Sequence, residues 1–277
     1  MKIREIDGNT IISGTDISLD DTFGCGQCFR WSKKDGNWTG VAGSRVVTVN
    51  QQGDTLTFFD TPENEVRDFW VSYLDLGHDY SAIAEPFASD EYLTRAARYG
   101  RGIHILRQDP VETVISFIIS SNNNISRISG IVDRFCALYG SSVIYRGAEY
   151  HAFPTLQQLS SVTLDGLQPI RAGFRDKYIL DAATKLSDGM TDIAALAVMD
   201  TADARKELMK IKGIGNKVAD CVLLFGFARY EVFPKDVWIK RTMAQLYGDD
   251  FDEHRFGANA GIIQQYFFHY ARNSGKE

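Results

Sequence analysis

The chain contains little cysteine, and no cysteine follows Cys221. Four cysteines are too few for the disulfide framework of a small secreted domain, and they are typical of a reducing compartment. Cys25 and Cys28 have the spacing of a redox or metal motif, but no second pair is present to complete a zinc site. We interpret them as two small, half-buried thiols.

Long apolar runs are absent as well. Residues 1–7 lack the apolar stretch of a signal peptide, and no segment approaches the length of a membrane span. The five histidines are scattered along the sequence, which gives no indication of a catalytic metal site. We therefore expect a cytoplasmic protein with no membrane contact and no required cofactor.

The sequence also lacks an excess of positive charge. Its formal net charge of −6 argues against nucleic-acid binding by bulk electrostatics. Between Arg205 and Arg241, however, nine basic residues stand against four acidic ones. Only charges at an interface release counterions, so a local basic face is sufficient for phosphate contacts. A solvated helix surface explains the same count.

Two kinds of periodicity are present, one after the other. From Thr10 to about Phe59, short apolar or alternating runs, including Cys28–Trp31, are separated by turn residues at 34–37 and 51–54. This spacing predicts antiparallel strands joined by hairpins. The amino-terminal part is therefore expected to be mostly β-structure.

After Pro62 the apolar period becomes helical. Asp109 and Pro110 are typical of a helix start, and Glu112 predicts a capping box with Asp109. The predicted fold class is α+β, with an N-terminal antiparallel β-sheet subdomain followed by two mainly α-helical subdomains. We predict a sheet subdomain with linking helices over residues 1–105 and a helical region over 106–277, with a loop at Gly140–Pro154 marking a further boundary.

The helical region contains two glycines separated by one residue, Gly213 and Gly215, between two helical patterns. We predict two helices pinched around a hairpin at about 206–228, where glycine permits positive φ and close approach of another surface. The amides that begin the second helix form a seat for an anion such as phosphate. A P-loop requires glycine directly before the lysine, whereas Asn216 precedes Lys217. An ordinary tight turn between helices remains an alternative.

Asp236 follows Lys217 by nineteen residues, directly before a helical pattern. With this pair, the chain resembles the helix-hairpin-helix (HhH) superfamily of DNA glycosylases, in particular the bifunctional 8-oxoguanine DNA glycosylase/AP lyases. Further matches cover most of the chain, in the family's order: Gly26-Gln27-Cys28-Phe29-Arg30-Trp31, Ser120-Ser121-Asn122-Asn123-Asn124 and Ala260-Gly261-Ile262-Ile263-Gln264.

The resemblance implies that Lys217 attacks the sugar and that Asp236 assists it. An amine nucleophile leaves a Schiff base, and this intermediate permits β-elimination, so base removal and strand nicking follow from one residue. Asp236 is also predicted to be the N-cap of its helix, where the carboxylate is kept ionised and can stabilise positive charge on the sugar.

The resemblance also implies a pocket for the extruded base. Cys221 would pack on one side of 8-oxoguanine and Phe268 would stack on the other, while the Gln264 amide would recognise the base edge. Gly26 matches a strand glycine whose carbonyl accepts the N7 hydrogen that 8-oxoguanine has and guanine lacks.

Contacts to the DNA are implied in the same way. Asn122 would fill the position vacated by the lesion, and Arg127 and Arg175 would recognise the estranged cytosine. Phe174 stands where the family has a tyrosine wedge. Trp238 occupies a position where the family commonly has histidine, so an imidazole contact to phosphate is lost there.

The resemblance implies damaged double-stranded DNA as the partner, a monomer, and a nucleoid-associated location. A structural cation can be held by the hairpin carbonyls of Met209, Ile211 and Ile214. The absence of cysteine after Cys221 excludes the iron–sulfur cluster of endonuclease III-type relatives. Two rival functions remain: a non-catalytic HhH module that grips the DNA backbone, and a monofunctional alkylbase glycosylase that uses water.

Overall fold

The computed structural model describes residues 1–248 and 251–273. As predicted, the amino-terminal part is an antiparallel sheet, and it includes one edge strand that sequence analysis missed. The six strands lie in the order β1-β2-β6-β5-β4-β3. They are β1 (Lys2–Ile6), β2 (Asn9–Ser13), β3 (Trp31–Lys34), β4 (Asn37–Ala42), β5 (Arg45–Gln52) and β6 (Thr55–Phe59).

Two of the hairpin turns have the Asp-Gly sequence. In Asp7-Gly8 the φ angles are 51° and 75°, and in Asp35-Gly36 they are 49° and 78°. A two-residue turn with positive φ at both positions matches the right-handed twist of its strands, and Asp-Gly adopts it at low cost. These turns set the pairings Ile6 to Asn9 and Lys34 to Asn37.

The run Cys28–Trp31 was predicted to be a strand, but the strand begins only at Trp31. The segment before it follows a short helix and passes between two hydrophobic cores. Cys25 and Phe29 pack into the core of the helical region, whereas Cys28 packs into the core under the sheet. Cys25 and Cys28 are therefore fully buried, not half-buried as predicted, and burial raises the pKa of Cys25 to about 12.

Helices dominate after the sheet, as predicted. A π-helical turn, Val66–Trp70, joins α2 to α3 in one continuous helix, and short 3₁₀ turns link several of the others. In the described residues the α-helices are α1 (Leu19–Gly24), α2 (Glu63–Glu65), α3 (Val71–Tyr73), α4 (Glu91–Tyr99), α5 (Pro110–Ser120), α6 (Ile125–Tyr139), α7 (Leu156–Leu159), α8 (Asp176–Ser187), α9 (Ile193–Val198), α10 (Thr201–Leu208), α11 (Asn216–Phe227), α12 (Val237–Tyr247) and α13 (Ala260–Asn273).

Helix α5 is the central helix, and every residue from Val111 to Ile119 is buried. A helix that is buried on all sides belongs to the core. Asp109 caps it by accepting a bond from the Glu112 amide at 3.0 Å. The other half of the predicted capping box is wrong, because the Glu112 carboxylate lies 3.7 Å from the Arg30 guanidinium.

This buried carboxyl predicts a pH-dependent stability. Burial raises the pKa of Glu112 from 4.5 to about 7, against the opposing effect of Arg30. The folded state therefore binds the Glu112 proton more tightly than the unfolded state does. The stabilisation that comes from this proton is complete below pH 4.5 and is lost as the pH rises through about 7. We expect the difference in unfolding free energy between wild type and Glu112→Gln to change by roughly 3 kcal/mol over this window in urea titrations. The control is a substitution at an exposed glutamate, Glu91→Gln. If the stabilities of Glu112→Gln and wild type changed in parallel over this pH range, the raised pKa could not belong to Glu112.

The segment Gly140–Pro154 was predicted to be a loop, but it contains a second, two-stranded sheet. Its strands are β7 (Ser142–Tyr145) and β8 (Ala148–His151). The Tyr145 hydroxyl accepts a bond from the Thr48 amide at 3.1 Å, so the hairpin packs on the larger sheet. The division after residue 105 stays a prediction.

Candidate active site and nucleic-acid interface

The predicted hairpin lies between α10 and α11. Gly213 has φ +88°, and a Cβ there would lie 2.7 Å from the Tyr178 side chain, so glycine is required both by conformation and by space. Gly215 has φ −101°, so the predicted positive φ at this residue is wrong. Gly215 is the N-cap of α11 and makes no side-chain cap bond, which leaves the first amides of that helix available to an anion.

Lys217 lies in the first turn of α11 and is half-buried. Its Nζ lies 5.4 Å from the centroid of the Phe117 ring on α5. Cys221 follows one turn later on the same face. Burial raises the pKa of the Cys221 thiol, and the positive charge of Lys217 opposes this shift. The amine and the thiol therefore share one wall of the site.

Asp236 is the N-cap of α12, as predicted. Its Oδ1 accepts a bond from the Ile239 amide at 2.7 Å. The residue is half-buried, and its second oxygen is not used by this cap. The cap therefore fixes the carboxylate at one edge of the cavity beside Lys217.

One small cavity, of about 40 Å³, brings together all six residues predicted for catalysis and the base pocket. They come from the α1–β3 segment, α11, the N-cap of α12, and α13. These residues are Gly26, Lys217, Cys221, Asp236, Gln264 and Phe268. A volume of this size holds little more than one water, so a base can enter only after its walls have moved.

The cavity has further lining residues that sequence analysis did not assign to the site: Cys25, Phe117, Phe225, Pro234 and Gln265. Phe117 and Phe225 lie in apolar runs, where nothing local separates a pocket wall from a core residue. Gln265 carried a usable signal, because two adjacent glutamines interrupt an otherwise apolar helix.

Gly26 was predicted to be a strand glycine, and this is wrong. It lies between α1 and β3 with φ +85°, where glycine is favoured. The position of its missing Cβ is 3.7 Å from the Phe268 ring and 3.8 Å from the Ile125 side chain. The Gly26 backbone therefore lies against the ring that was predicted to stack on the base.

A second group of predicted residues lies outside the cavity, around the loop between α5 and α6. Asn122 is exposed and has φ +50°. Arg175 is only 3% exposed, and it donates to the carbonyl oxygens of Ser121 at 2.5 Å and Asn122 at 3.0 Å. Burial, and secondly the positive charge of Arg127, lowers the pKa of Arg175. The buried Arg175 side chain thus stabilises the loop through hydrogen bonds to its carbonyl groups.

Two aromatic residues at the predicted interface are exposed. Phe174 is 63% exposed, and the Arg175 guanidinium lies 4.4 Å from the centroid of its ring. Trp238 is 57% exposed in the first turn of α12. Neither ring is buried in the core of the protein.

The hairpin carbonyls of Met209, Ile211 and Ile214 come from one tight turn. Ile211 O already accepts a bond from the Ile214 amide at 3.1 Å, and a carbonyl has a second lone pair. Residues 1–248 and 251–273 contain no group of three or more His, Cys, Asp or Glu that could hold a metal. Any cation here would therefore be bound by backbone oxygens.

No helix within the described part of the chain is long and apolar enough to cross a membrane.

Comparison with known proteins agrees with this architecture. The model of the 8-oxoguanine DNA glycosylase N-terminal domain matches residues 10–114, and that of the HhH-GPD superfamily of base excision DNA repair proteins matches residues 115–255. A probable N-glycosylase/DNA lyase of Methanothermobacter thermautotrophicus is 31% identical over an alignment of length 247 that covers 79% of this chain and 78% of that protein.

Two solved structures are similar over almost the whole chain. MBOgg1, in complex with a low-affinity DNA ligand, has a TM-score of 0.94 and 40% identity, with 99% of each chain covered. The 8-oxoguanine glycosylase/lyase of Clostridium acetobutylicum, bound to double-stranded DNA with cytosine opposite 8-oxoguanine, has a TM-score of 0.93 and 35% identity, also with 99% of each chain covered. This chain therefore belongs to the 8-oxoguanine DNA glycosylases of the HhH-GPD superfamily, and it is a bifunctional DNA glycosylase and AP lyase.

Proposed function

We propose that this enzyme extrudes 8-oxoguanine from duplex DNA opposite cytosine, excises it, and nicks the resulting abasic site by β-elimination through a Lys217 Schiff base. The observation that carries the proposal is the convergence of Lys217 and Asp236 on one cavity with Gly26, Gln264 and Phe268. The Clostridium acetobutylicum relative was solved on DNA of this composition.

The chemistry begins with the neutral amine of Lys217. Its nitrogen forms a bond to C1′ of the sugar as the glycosidic bond breaks, and the bonding electrons leave with the base, which takes up a proton. Asp236 stabilises the positive charge that develops on the sugar and accepts the proton that the lysine nitrogen loses. Its N-cap position places the carboxylate at the positive end of α12.

Opening of the sugar ring converts the adduct into a Schiff base. Loss of a proton from C2′ then drives cleavage of the C3′–O bond, and the 3′ phosphate leaves with that electron pair. Hydrolysis of the Schiff base returns free Lys217. One nucleophile thereby performs base excision and strand nicking.

The helix-hairpin-helix is proposed to hold the DNA backbone. The uncapped amides at the start of α11 and the exposed Lys212 can donate to phosphate oxygens. The carbonyls of Met209, Ile211 and Ile214 are proposed to hold a structural cation, since hard cations prefer oxygen ligands. Such an ion would neutralise phosphate charge at the hairpin.

Recognition of the opposite base is assigned to the surface around Asn122. Asn122 is proposed to enter the space left by the lesion, with Phe174 as the wedge beside it. Arg127 is exposed, so its guanidinium is free to donate to the acceptors of an estranged cytosine. Arg175 is proposed to support this contact while it holds the Asn122 loop.

Arg127→Ala is expected to relax the preference for cytosine. Each lost hydrogen bond to a base edge removes about 1–3 kcal/mol of discrimination, so the ratio of excision from cytosine-paired and other duplexes should fall about tenfold. The measurement is single-turnover release of 8-oxoguanine opposite each of the four bases. Arg4→Ala, which removes an exposed charge from edge strand β1, is the control. Unchanged discrimination would remove Arg127 from this role.

A further inference from the structure

The side chain of Gln265 is a buried polar group of the cavity whose acceptor is unpaired within the described part of the chain. It lies on α13 directly after Gln264, it is 4% exposed, and it lines the same cavity as Lys217 and Asp236. Its Oε1 is buried and accepts no hydrogen bond from the described residues. A buried acceptor without a donor costs about 1–3 kcal/mol, so this oxygen is a candidate to accept a hydrogen bond from a ligand in the pocket.

The second feature is the bond between the two glutamines. Gln265 Nε2 donates to Gln264 Oε1 at 2.7 Å. This bond occupies the oxygen of Gln264 and leaves its Nε2–H groups free, while it leaves Gln265 with a free oxygen. The pair therefore presents a donor at one end and an acceptor at the other.

The two free groups are separated by two amides and the hydrogen bond between them. The free donor and the free acceptor are complementary in kind to the two ends of a guanine-type Watson–Crick edge. That edge has an acceptor, the 6-oxo group, at one end and a donor, the 2-amino group, at the other.

We infer that Gln265 is a specificity-determining residue whose Oε1 accepts a hydrogen bond from the 2-amino group of the extruded base, while Gln264 Nε2 donates to the 6-oxo group. The inference rests on the proposed excision of 8-oxoguanine and deepens it. It makes the enzyme selective for oxidised purines that carry a 2-amino group.

The test compares two lesions that differ only in this group. Single-turnover excision is measured on duplexes with 8-oxoguanine or 8-oxohypoxanthine opposite cytosine, for wild type and Gln265→Leu. Wild type should prefer 8-oxoguanine, and the preference should fall about tenfold in Gln265→Leu, mainly through slower excision of 8-oxoguanine. The preference of wild type is then divided by that of the variant. This ratio cancels any difference in leaving-group reactivity between the two bases, because that difference is the same for both enzymes.

Two further variants keep the result interpretable. Gln265→Met retains the length of the side chain, so it should reproduce the loss of preference if Gln265→Leu does not fold. Phe225→Leu alters the same cavity without removing a polar group, so it should slow both substrates alike and leave their ratio within about twofold.

Each outcome has one meaning. If wild type excises 8-oxoguanine but the preference is the same in the Gln265 variants, Gln265 Oε1 binds only an internal water and the inference is overturned, while the proposed function stands. If wild type does not excise 8-oxoguanine from any duplex, the proposed function fails and the inference fails with it.

Discussion

Lys217→Gln is expected to lose base excision and strand nicking together, each by about 10⁴-fold or more, and still to bind lesion-containing duplex. The amide keeps most of the side-chain length against Phe117 but has no lone pair able to attack C1′. Binding should survive, because the hairpin amides and the surface around Asn122 are unchanged. Both activities fall together because both pass through the same covalent intermediate.

The measurement is trapping with borohydride, which reduces a Schiff base to a stable adduct, on a duplex with 8-oxoguanine opposite cytosine. Wild type should form the adduct and Lys217→Gln should not. The matched control is Lys206→Gln, which removes an exposed lysine of α10 that is not proposed to contact DNA and should still be trapped. Substantial β-elimination by Lys217→Gln would place the nucleophile elsewhere. Release of free base by wild type without an adduct would favour a water-using glycosylase.

The second large effect is expected at Asp236. Substitution can separate its two roles, which are to cap helix α12 and to take part in the proposed chemistry. Asparagine caps a helix as well as aspartate does, so Asp236→Asn should keep the bond from the Ile239 amide and change the unfolding free energy by less than about 0.5 kcal/mol. It cannot supply a negative charge or accept the lysine proton. Excision should therefore fall by roughly 10²- to 10⁴-fold.

Asp236→Ala removes the cap as well, so it should lose the same activity and in addition about 1 kcal/mol of stability. The control is Asp200→Ala, because Asp200 caps α10 in the same way, with a bond from the Asp203 amide at 2.9 Å. This variant should be destabilised but active. Equal rates in Asp236→Asn and wild type would leave Asp236 with the structural role alone.

Strand and helix positions were largely predictable because their signals are local. The Asp35-Gly36 turn and the Asp109-Pro110 helix start are each encoded within a few residues, and both form as expected. Errors occurred where a long-range contact decided the outcome. The Glu112 carboxylate lies near Arg30, in the segment between α1 and β3 and far away in sequence, and does not complete the predicted capping box.

The order of sheet and helices, the hairpin with Gly213 and the capping Asp236 were predictable from short stretches of sequence, and the resemblance of the motifs indicated the family. Three features became visible only in the folded chain: Gln264 and Gln265 are buried side by side, Arg175 donates to the carbonyls of the Asn122 loop, and the segment of Gly26 runs between two cores to reach Phe268. The physical reason is the range of the interactions. Caps and turns depend on backbone groups a few residues away, whereas a pocket is the meeting of chain segments that the packing of separate cores brings together.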